Sequence, residues 1–231
     1  MTGRVAIVTG GTGALGQAIT RTLLESGAAV SVPYAVAEEM TILEGRLAPE
    51  LRARLLAMPV DVTDEAAVGK FVQAVRDRHG RVDALVNAVG GFAGGDLVST
   101  ALPEWERMMA LNLTSAVISC RAVLPGMIAA GSGRIVNIAS RAVIPPQGGF
   151  IAYTVSKAAV ITLTQALAQE VKGHRITVNA VLPSTMDTPA NRRAMPDADR
   201  SGWVSTQDVA NVVAFLLSER AAAVTGAAVP V

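Results

Sequence analysis

Tyr153 and Lys157 stand four residues apart in the stretch GGFIAYTVSKAAV, which begins at Gly148. In a helix that spacing puts both side chains on one face. A free tyrosine has a pKa of about 10 and exchanges protons poorly near neutrality. A cation held about 4–6 Å away favours the phenolate and would lower that value. The phenol could then give a proton to a carbonyl oxygen under reduction, or take one from an alcohol under oxidation. The plain alternative is a surface aromatic–cation pair worth roughly a few tenths of a kcal/mol. Two further residues argue against it. Ser140 closes an apolar run before Tyr153, where its hydroxyl could donate to a developing oxyanion. Asn112 lies inside a long helical pattern, where asparagine is a mediocre helix former, and its side chain could hold a water in a proton relay. Taken singly, Ser140 also reads as a strand-end cap and Asn112 as an exposed polar residue of a helix.

A second cluster sits near the N-terminus. In VTGGTGALGQA, Gly10, Gly13 and Gly16 follow an apolar run directly and open a helical pattern. Glycine takes positive φ, and without a side chain it lets a backbone approach a pyrophosphate closely. The helix start adds free N–H groups and the positive end of its dipole. Tight turns use glycine too, so the cluster gains its meaning from standing between a strand and a helix, where it suits a dinucleotide. No Lys-Ser/Thr pair follows the glycines, which disfavours a nucleotide-hydrolysing phosphate loop.

These residues need a frame to bring them together. Apolar runs of strand length alternate with helical patterns along the chain. Strands are expected at 4–9, 28–33, within LLAMPVDV, at 82–90, 133–140 and 175–183, and in the closing AAVPV. Helices are expected over 14–26, in an interrupted stretch within 36–56, and from a Thr63 cap to about His79. Others run from Pro103 to about Ala130, bent or split at Pro125 and Gly126, over 150–171, and in STQDVANVVAFLLSE, capped by Ser205 or Thr206. Continuous apolar strands separated by helices mean an α/β fold with a parallel sheet covered on both faces. Right-handed crossovers make it a doubly wound sheet of about seven strands. Such sheets bind ligands beyond the carboxyl ends of their strands. The polar stretch 184–205 breaks the rhythm and reads as a substrate lid within one domain spanning 1–231.

Composition narrows the function. Net charge is +1, which argues against nucleic acid or another polyanion as partner. The one cysteine, Cys120, lies in an apolar run and excludes a disulfide framework or a multi-cysteine metal site. His79 and His174, the only histidines, fall at expected helix ends and form no ligand cluster, so no metal is expected. MTGRVAIVTG has no charged-then-apolar leader, and no apolar run is read as reaching membrane-spanning length. The expectation is a soluble, cytoplasmic protein with no membrane partner.

TGGTGALG, Asp61-Val62, LVNAVGG, LNL around Asn112, NIAS ending in Ser140, YTVSK and VNAVLPSTMDT occur in that order. Through them the chain resembles the short-chain dehydrogenases/reductases over nearly its full length. The Ser140–Tyr153–Lys157 spacing is the specific part of the match. The resemblance implies a Rossmann-type fold and an NAD(P)-dependent oxidoreductase that moves hydride between nicotinamide and a carbonyl or alcohol. It implies Tyr153 as general acid/base and Lys157 as a ribose ligand that lowers the tyrosine pKa. Ser140 would orient the substrate oxygen, and Asn112 would support a water-linked proton path. Cofactor contacts are implied for Gly10, Thr12, Gly13, Ala14, Leu15 and Gly16, for Tyr34, and for Asp61 and Val62 beside the adenine. Asn87 and Gly90 would line the cleft, with Pro183, Thr185 and Thr188 near the nicotinamide.

The sequence departs from the family pattern in places. Ala14 stands where TGxxxGxG has a glycine, Asn-Asn-Ala-Gly reads Asn87-Ala88-Val89-Gly90, and Pro-Gly reads Pro183-Ser184. The usual glycine-rich tail does not follow the last strand. GGFAGG at 90–95 and LPSTMDTPANRRAMPDAD at 182–199 resemble the dihydropteridine reductases of the same superfamily, which implies reduction of a quinonoid pterin or imine as an alternative.

An acid at the end of the second strand would bind the ribose 2′-OH and repel a 2′-phosphate. Tyr34 stands there, Glu38 and Glu39 come later, and no lysine or arginine lies close by; the reading favours NADP(H) over NAD(H). Phe92, Ile144, Phe150, Met186 and Trp203, with Ser140 and Tyr153, are expected to face the substrate. A protein that senses NAD(P) without chemistry is the alternative of another class, and the presence of both Tyr153 and Lys157 argues against it. Apolar faces on helices 103–130 and 150–171, together with the resemblance, imply a homodimer or homotetramer.

Overall fold

The computed structural model describes residues 1–231. Seven parallel strands form one sheet in the order β3-β2-β1-β4-β5-β6-β7. They are β1 Val5–Thr9, β2 Ala29–Tyr34, β3 Leu55–Pro59, β4 Ala84–Asn87, β5 Gly133–Ile138, β6 Ile176–Leu182 and β7 Ala228–Pro230. The helices are α1 Ala14–Glu25, α2 Ala37–Gly45, α3 Pro49–Arg52, α4 Glu65–His79, α5 Leu102–Met109, α6 Ser115–Ala130, α7 Ile151–Glu170, α8 Pro189–Ala194 and α9 Thr206–Leu216. Strand order reverses between β1 and β4, so a crevice opens at their carboxyl ends.

Side chains alternate along each strand, and both faces are covered. Ala6 and Val8 pack with Ile19, Leu23, Val213 and Leu216 of α1 and α9. Val5 and Ile7 face the other way, onto Phe71, Val75, Val123 and Leu167 of α4, α6 and α7. Burial on both faces explains why the strands read as unbroken apolar runs.

Local details differ from the sequence expectation. Asp64, not Thr63, caps α4: its carboxylate accepts from the N–H groups of Ala66 at 2.8 Å and Ala67 at 3.1 Å. Thr63 is spent on Asp61, to which its N–H and hydroxyl both donate. The helix runs unsplit through Pro125 and Gly126. Pro125 stands on the exposed side, where a missing N–H costs least. Gly126 makes room for the Arg76 guanidinium of α4, whose carbon would lie 2.8 Å from a β-carbon there. The irregularity comes earlier, where Ala110–Thr114 form a π-helical turn between α5 and α6. Such turns gather at functional sites, and this one carries Asn112. Leu102–Ala130 and Ile151–Glu170 are long and apolar enough to cross a membrane by length and composition, which corrects the sequence reading. Here Met108, Ile118, Val123, Met127, Val160 and Leu167 of these helices are buried within the fold.

Candidate active site

The turn after β1 is tight by necessity. Gly10 has φ +68°, and a β-carbon there would meet the Ala88 backbone at 2.8 Å. A β-carbon on Gly16 would lie 2.7 Å from the Gly10 carbonyl carbon and overlap its oxygen. Gly13 caps α1 in extended geometry, and a β-carbon there would make only ordinary contact, 3.5 Å from Gly10. Ala14 opens α1 and is exposed, so the departure from glycine is accommodated, while Leu15 is buried beneath it. The first turn of α1 carries no acidic residue, which leaves its N–H groups and dipole free for an anion. A turn too tight for β-carbons at Gly10 and Gly16, leading into unspent helix N–H groups, fits a pyrophosphate.

Around it, Thr12 is buried and donates from Oγ1 to Glu39 Oε2 of α2 at 2.9 Å. Tyr34 ends β2, partly exposed. Asp61 is exposed, and the Thr63 hydroxyl and N–H hold its carboxyl below the usual range; Val62 beside it is buried. Asn87 ends β4, but its amide turns inward. Nδ2 donates to Asn137 Oδ1 at 2.8 Å and to Cys120 Sγ at 3.4 Å, and Asn137 donates to Thr164 of α7 at 2.9 Å. This buried ladder ties β4, β5 and α7 together, so the expected cleft-lining amide is a structural one. Burial pushes the Cys120 thiol up to about 12, as suits a core residue.

Gly90 lets three elements converge: a β-carbon there would lie 2.8 Å from Asn112 Oδ1 and 3.0 Å from Lys157 Nζ. Asn112 is only 2% exposed. Its Oδ1 accepts from Gly91 N–H at 2.9 Å, and its Nδ2 donates to the Gly91 carbonyl at 3.2 Å and to Ser156 Oγ at 2.9 Å. Ser156 donates in turn to the Tyr153 carbonyl at 2.8 Å. Both amide hydrogens are therefore engaged, and the side chain clamps the β4 loop to α7.

Lys157 is buried, and its Nζ donates to the Ile138 carbonyl at the end of β5, 2.8 Å away. Burial lowers its pKa to about 8. Ser140, two residues beyond β5, accepts from Ala142 N–H at 3.2 Å and turns its hydroxyl toward the Tyr153 phenol. Burial raises the Tyr153 pKa above its ordinary value, and the Ser140 hydroxyl beside it works the other way. The expected lowering by Lys157 is not what this arrangement produces: the phenol of the protein alone stays protonated at neutral pH.

Phe92 and Phe150 stand edge-on to Tyr153, with ring centroids 5.1 and 6.1 Å from it and 5.7 Å from each other. Two backbone bonds tie the loop carrying Phe92 to the approach to α7, Gly95 N–H to the Gly149 carbonyl at 2.8 Å and Ile151 N–H to the Gly95 carbonyl at 3.1 Å. Ile144 is exposed, with its carbonyl held by Arg141. Segment 184–205 is closed at its base, where Met186 bridges Val204 and Ser184 N–H reaches the Val231 carbonyl at 2.7 Å. Pro183 is buried and Thr185 exposed; Thr188, buried, caps α8 by accepting from Asn191 N–H at 3.2 Å. Trp203 lies under the Arg200 guanidinium, 5.6 Å from it, and stands outside the aromatic trio. Sequence reasoning missed Ser156, although it lies inside YTVSK, and the bond from Thr12 to Glu39, for which spacing carried no signal.

Residues 4–199 match the family described as short chain dehydrogenase. The 2-(R)-hydroxypropyl-CoM dehydrogenase of Xanthobacter autotrophicus is 34% identical, over 97% of this chain and 95% of its own length. The 3-oxoacyl-(acyl-carrier-protein) reductase of Escherichia coli is 33% identical, over 97% and 93%. Among solved structures, levodione reductase has a TM-score of 0.90 at 28% identity, covering 100% of this chain and 96% of that one. NAD+-bound xylitol dehydrogenase has 0.90 at 27%, covering 100% and 98%. These proteins differ in the substrates they are named for, and the two solved structures share this chain's fold nearly end to end. The chain belongs to the short-chain dehydrogenases/reductases, oxidoreductases that act on small molecules with NAD or NADP.

Proposed function

We propose that the protein reduces a neutral, largely apolar carbonyl compound, or oxidises the corresponding alcohol, with Tyr153 as general acid/base. The observation that carries this reading is the meeting of β5 and α7. The Ser140 hydroxyl acts on the Tyr153 phenol, and Lys157, four residues further along α7, anchors on Ile138.

A bound nicotinamide dinucleotide supplies the hydride chemistry. Gly10, Gly13 and Gly16 would hold its pyrophosphate, Asp61 and Val62 would flank the adenine, and Lys157 and Thr188 would meet the nicotinamide end. A substrate oxygen entering beside both groups would take the Ser140 hydrogen bond in place of the phenol, and Tyr153 would deliver its proton to the same atom. A phenol whose pKa is raised keeps that proton at neutral pH, which suits reduction. In the oxidative direction the phenol must first lose it, so oxidation speeds up as pH rises. Asn112 and Ser156 keep Tyr153 and the Gly91–Phe92 wall in fixed relation.

Phe92, Phe150, Ile144 and Met186 supply an apolar wall, with segment 184–205 as lid of a single domain. Three arginines of the neighbouring loops and helices are already engaged, Arg141 on the Ile144 carbonyl, Arg107 on Glu104 and Arg192 on Asp187, while Arg193 of α8 points to solvent without a partner. The apolar wall, with these three cations spent, favours a neutral substrate over a carboxylate or phosphate. A panel of neutral ketones, aldehydes, quinones and quinonoid pterins beside 2-oxo acids, each with NADH and NADPH, tests the reading; a preference for the acids would overturn it. Leu97, Val98, Leu102 and Val155 leave apolar surface at the starts of α5 and α7, which supports a homodimer or homotetramer. A monomer mass by light scattering would contradict that.

A further inference from the structure

We infer that Glu39 selects NAD(H) over NADP(H), the discriminating carboxylate being delivered by α2 and not by the end of β2. The inference rests on the dinucleotide reading of the glycine turn.

In a doubly wound site the adenosine ribose lies between that turn and the end of β2, and an acid roughly 20 residues beyond the glycines engages its 2′-OH. The end of β2 offers only Tyr34, which left the choice open in the sequence and tilted it toward NADP(H). The fold supplies an acid from elsewhere. Glu39, in the first turn of α2, comes back onto the glycine turn, where Thr12 Oγ1 donates to its Oε2 at 2.9 Å. Thr12 is only 5% exposed, so this bond fixes where the carboxylate sits. Oε1 takes no hydrogen bond from the protein and is left to accept from a ribose hydroxyl.

Neither the glycine turn nor α2 carries a compensating cation. Residues 9–20 and 34–45 contain no lysine or arginine. Arg46, just past α2, is held by Gln17 Oε1 at 2.8 Å, and Gln17 in turn donates to the Thr12 carbonyl at 2.7 Å. A 2′-phosphate placed at the ribose would therefore meet the Glu39 carboxylate, with Glu38 next to it in the chain, while Arg46 is tied to Gln17. Like charges so placed are strongly disfavoured, whereas a 2′-hydroxyl gains an acceptor.

The test is direct binding of NADH and NADPH, followed by nicotinamide fluorescence, to the wild type and to Glu39→Gln. Glutamine still accepts from Thr12, so the anchor is kept and only the charge is removed. The wild type should bind NADH more tightly by on the order of 100-fold. E39Q should narrow that ratio at least about 10-fold, mainly by tightening NADPH. Glu39→Ala, which removes charge and anchor together, should narrow it as well. A wild type that binds NADPH as tightly as NADH, or a ratio unmoved by both variants, overturns the assignment. Binding of neither cofactor by the wild type overturns it together with the dinucleotide reading beneath it, and is distinguished by the absence of any fluorescence change.

Discussion

Gly16→Ala places a methyl group against the carbonyl of Gly10. The new β-carbon lies 2.7 Å from the Gly10 carbonyl carbon and from Gly11 Cα, roughly 0.7 Å inside ordinary van der Waals contact. The turn has little freedom to retreat, because Gly10 already holds φ +68° and stands against the Ala88 backbone. Overpacking of this kind costs about 1–3 kcal/mol. Any relief must move the glycine turn itself, so the loss falls on cofactor affinity as well, about 5- to 150-fold for the same energy. Gly13→Ala is the internal control. Its φ is −72° and its β-carbon would find only a 3.5 Å contact, so stability should change by no more than about 0.5 kcal/mol. Both variants are compared with wild type by denaturant unfolding and by fluorescence titration of reduced cofactor. A Gly16→Ala protein that unfolds and binds like wild type, or one no less stable than Gly13→Ala, would refute the reasoning.

Burial puts Lys157 at about 8 in the folded chain, below its ordinary value of 10.5, so between those values the unfolded state binds more protons. Stability should therefore rise as pH goes from about 8 toward 10, and Lys157→Met should lack that increment when the two are unfolded side by side. Asn112→Ala breaks the bonds to Gly91 and Ser156 and leaves buried groups unpaired, at a cost of about 2–4 kcal/mol in denaturant unfolding. A variant as stable as wild type would show that the side chain is no clamp. Asp64→Ala should cost about 1 kcal/mol through loss of the α4 cap, more than Thr63→Ala, and the reverse order in thermal melts would contradict the capping assignment.

The sheet was legible because its strands are buried on both faces, so Val5–Thr9 or Ala84–Asn87 read as apolar runs that no loop would carry. The candidate cluster was legible because helical spacing alone puts Tyr153 and Lys157 on one face. What spacing does not encode is the partner across the fold. Thr63 and Asp64 are both good caps locally, and the choice falls to Asp64 because Asp61 takes the Thr63 hydroxyl. Pro125 signals a break, yet the helix survives because that residue faces outward, while the π turn at Ala110–Thr114 has no proline or glycine to announce it. The Asn87 and Asn112 amides read as site groups, but their bonds run to Asn137, Gly91 and Ser156, residues distant in sequence. The bond between Thr12 and Glu39 is of the same kind, since it depends on how α2 returns over the glycine turn.

The central claim is that the Tyr153 phenol moves the proton. Tyr153→Phe removes one oxygen from a ring held between Phe92 and Phe150, so the wall should stay in place. Single-turnover reduction of a ketone accepted by the wild type, with bound reduced cofactor, measures the effect directly. The account predicts a rate lower by about 10²–10⁴-fold with cofactor affinity essentially unchanged. A Tyr153→Phe rate within about threefold of wild type, at equal cofactor occupancy, would contradict it.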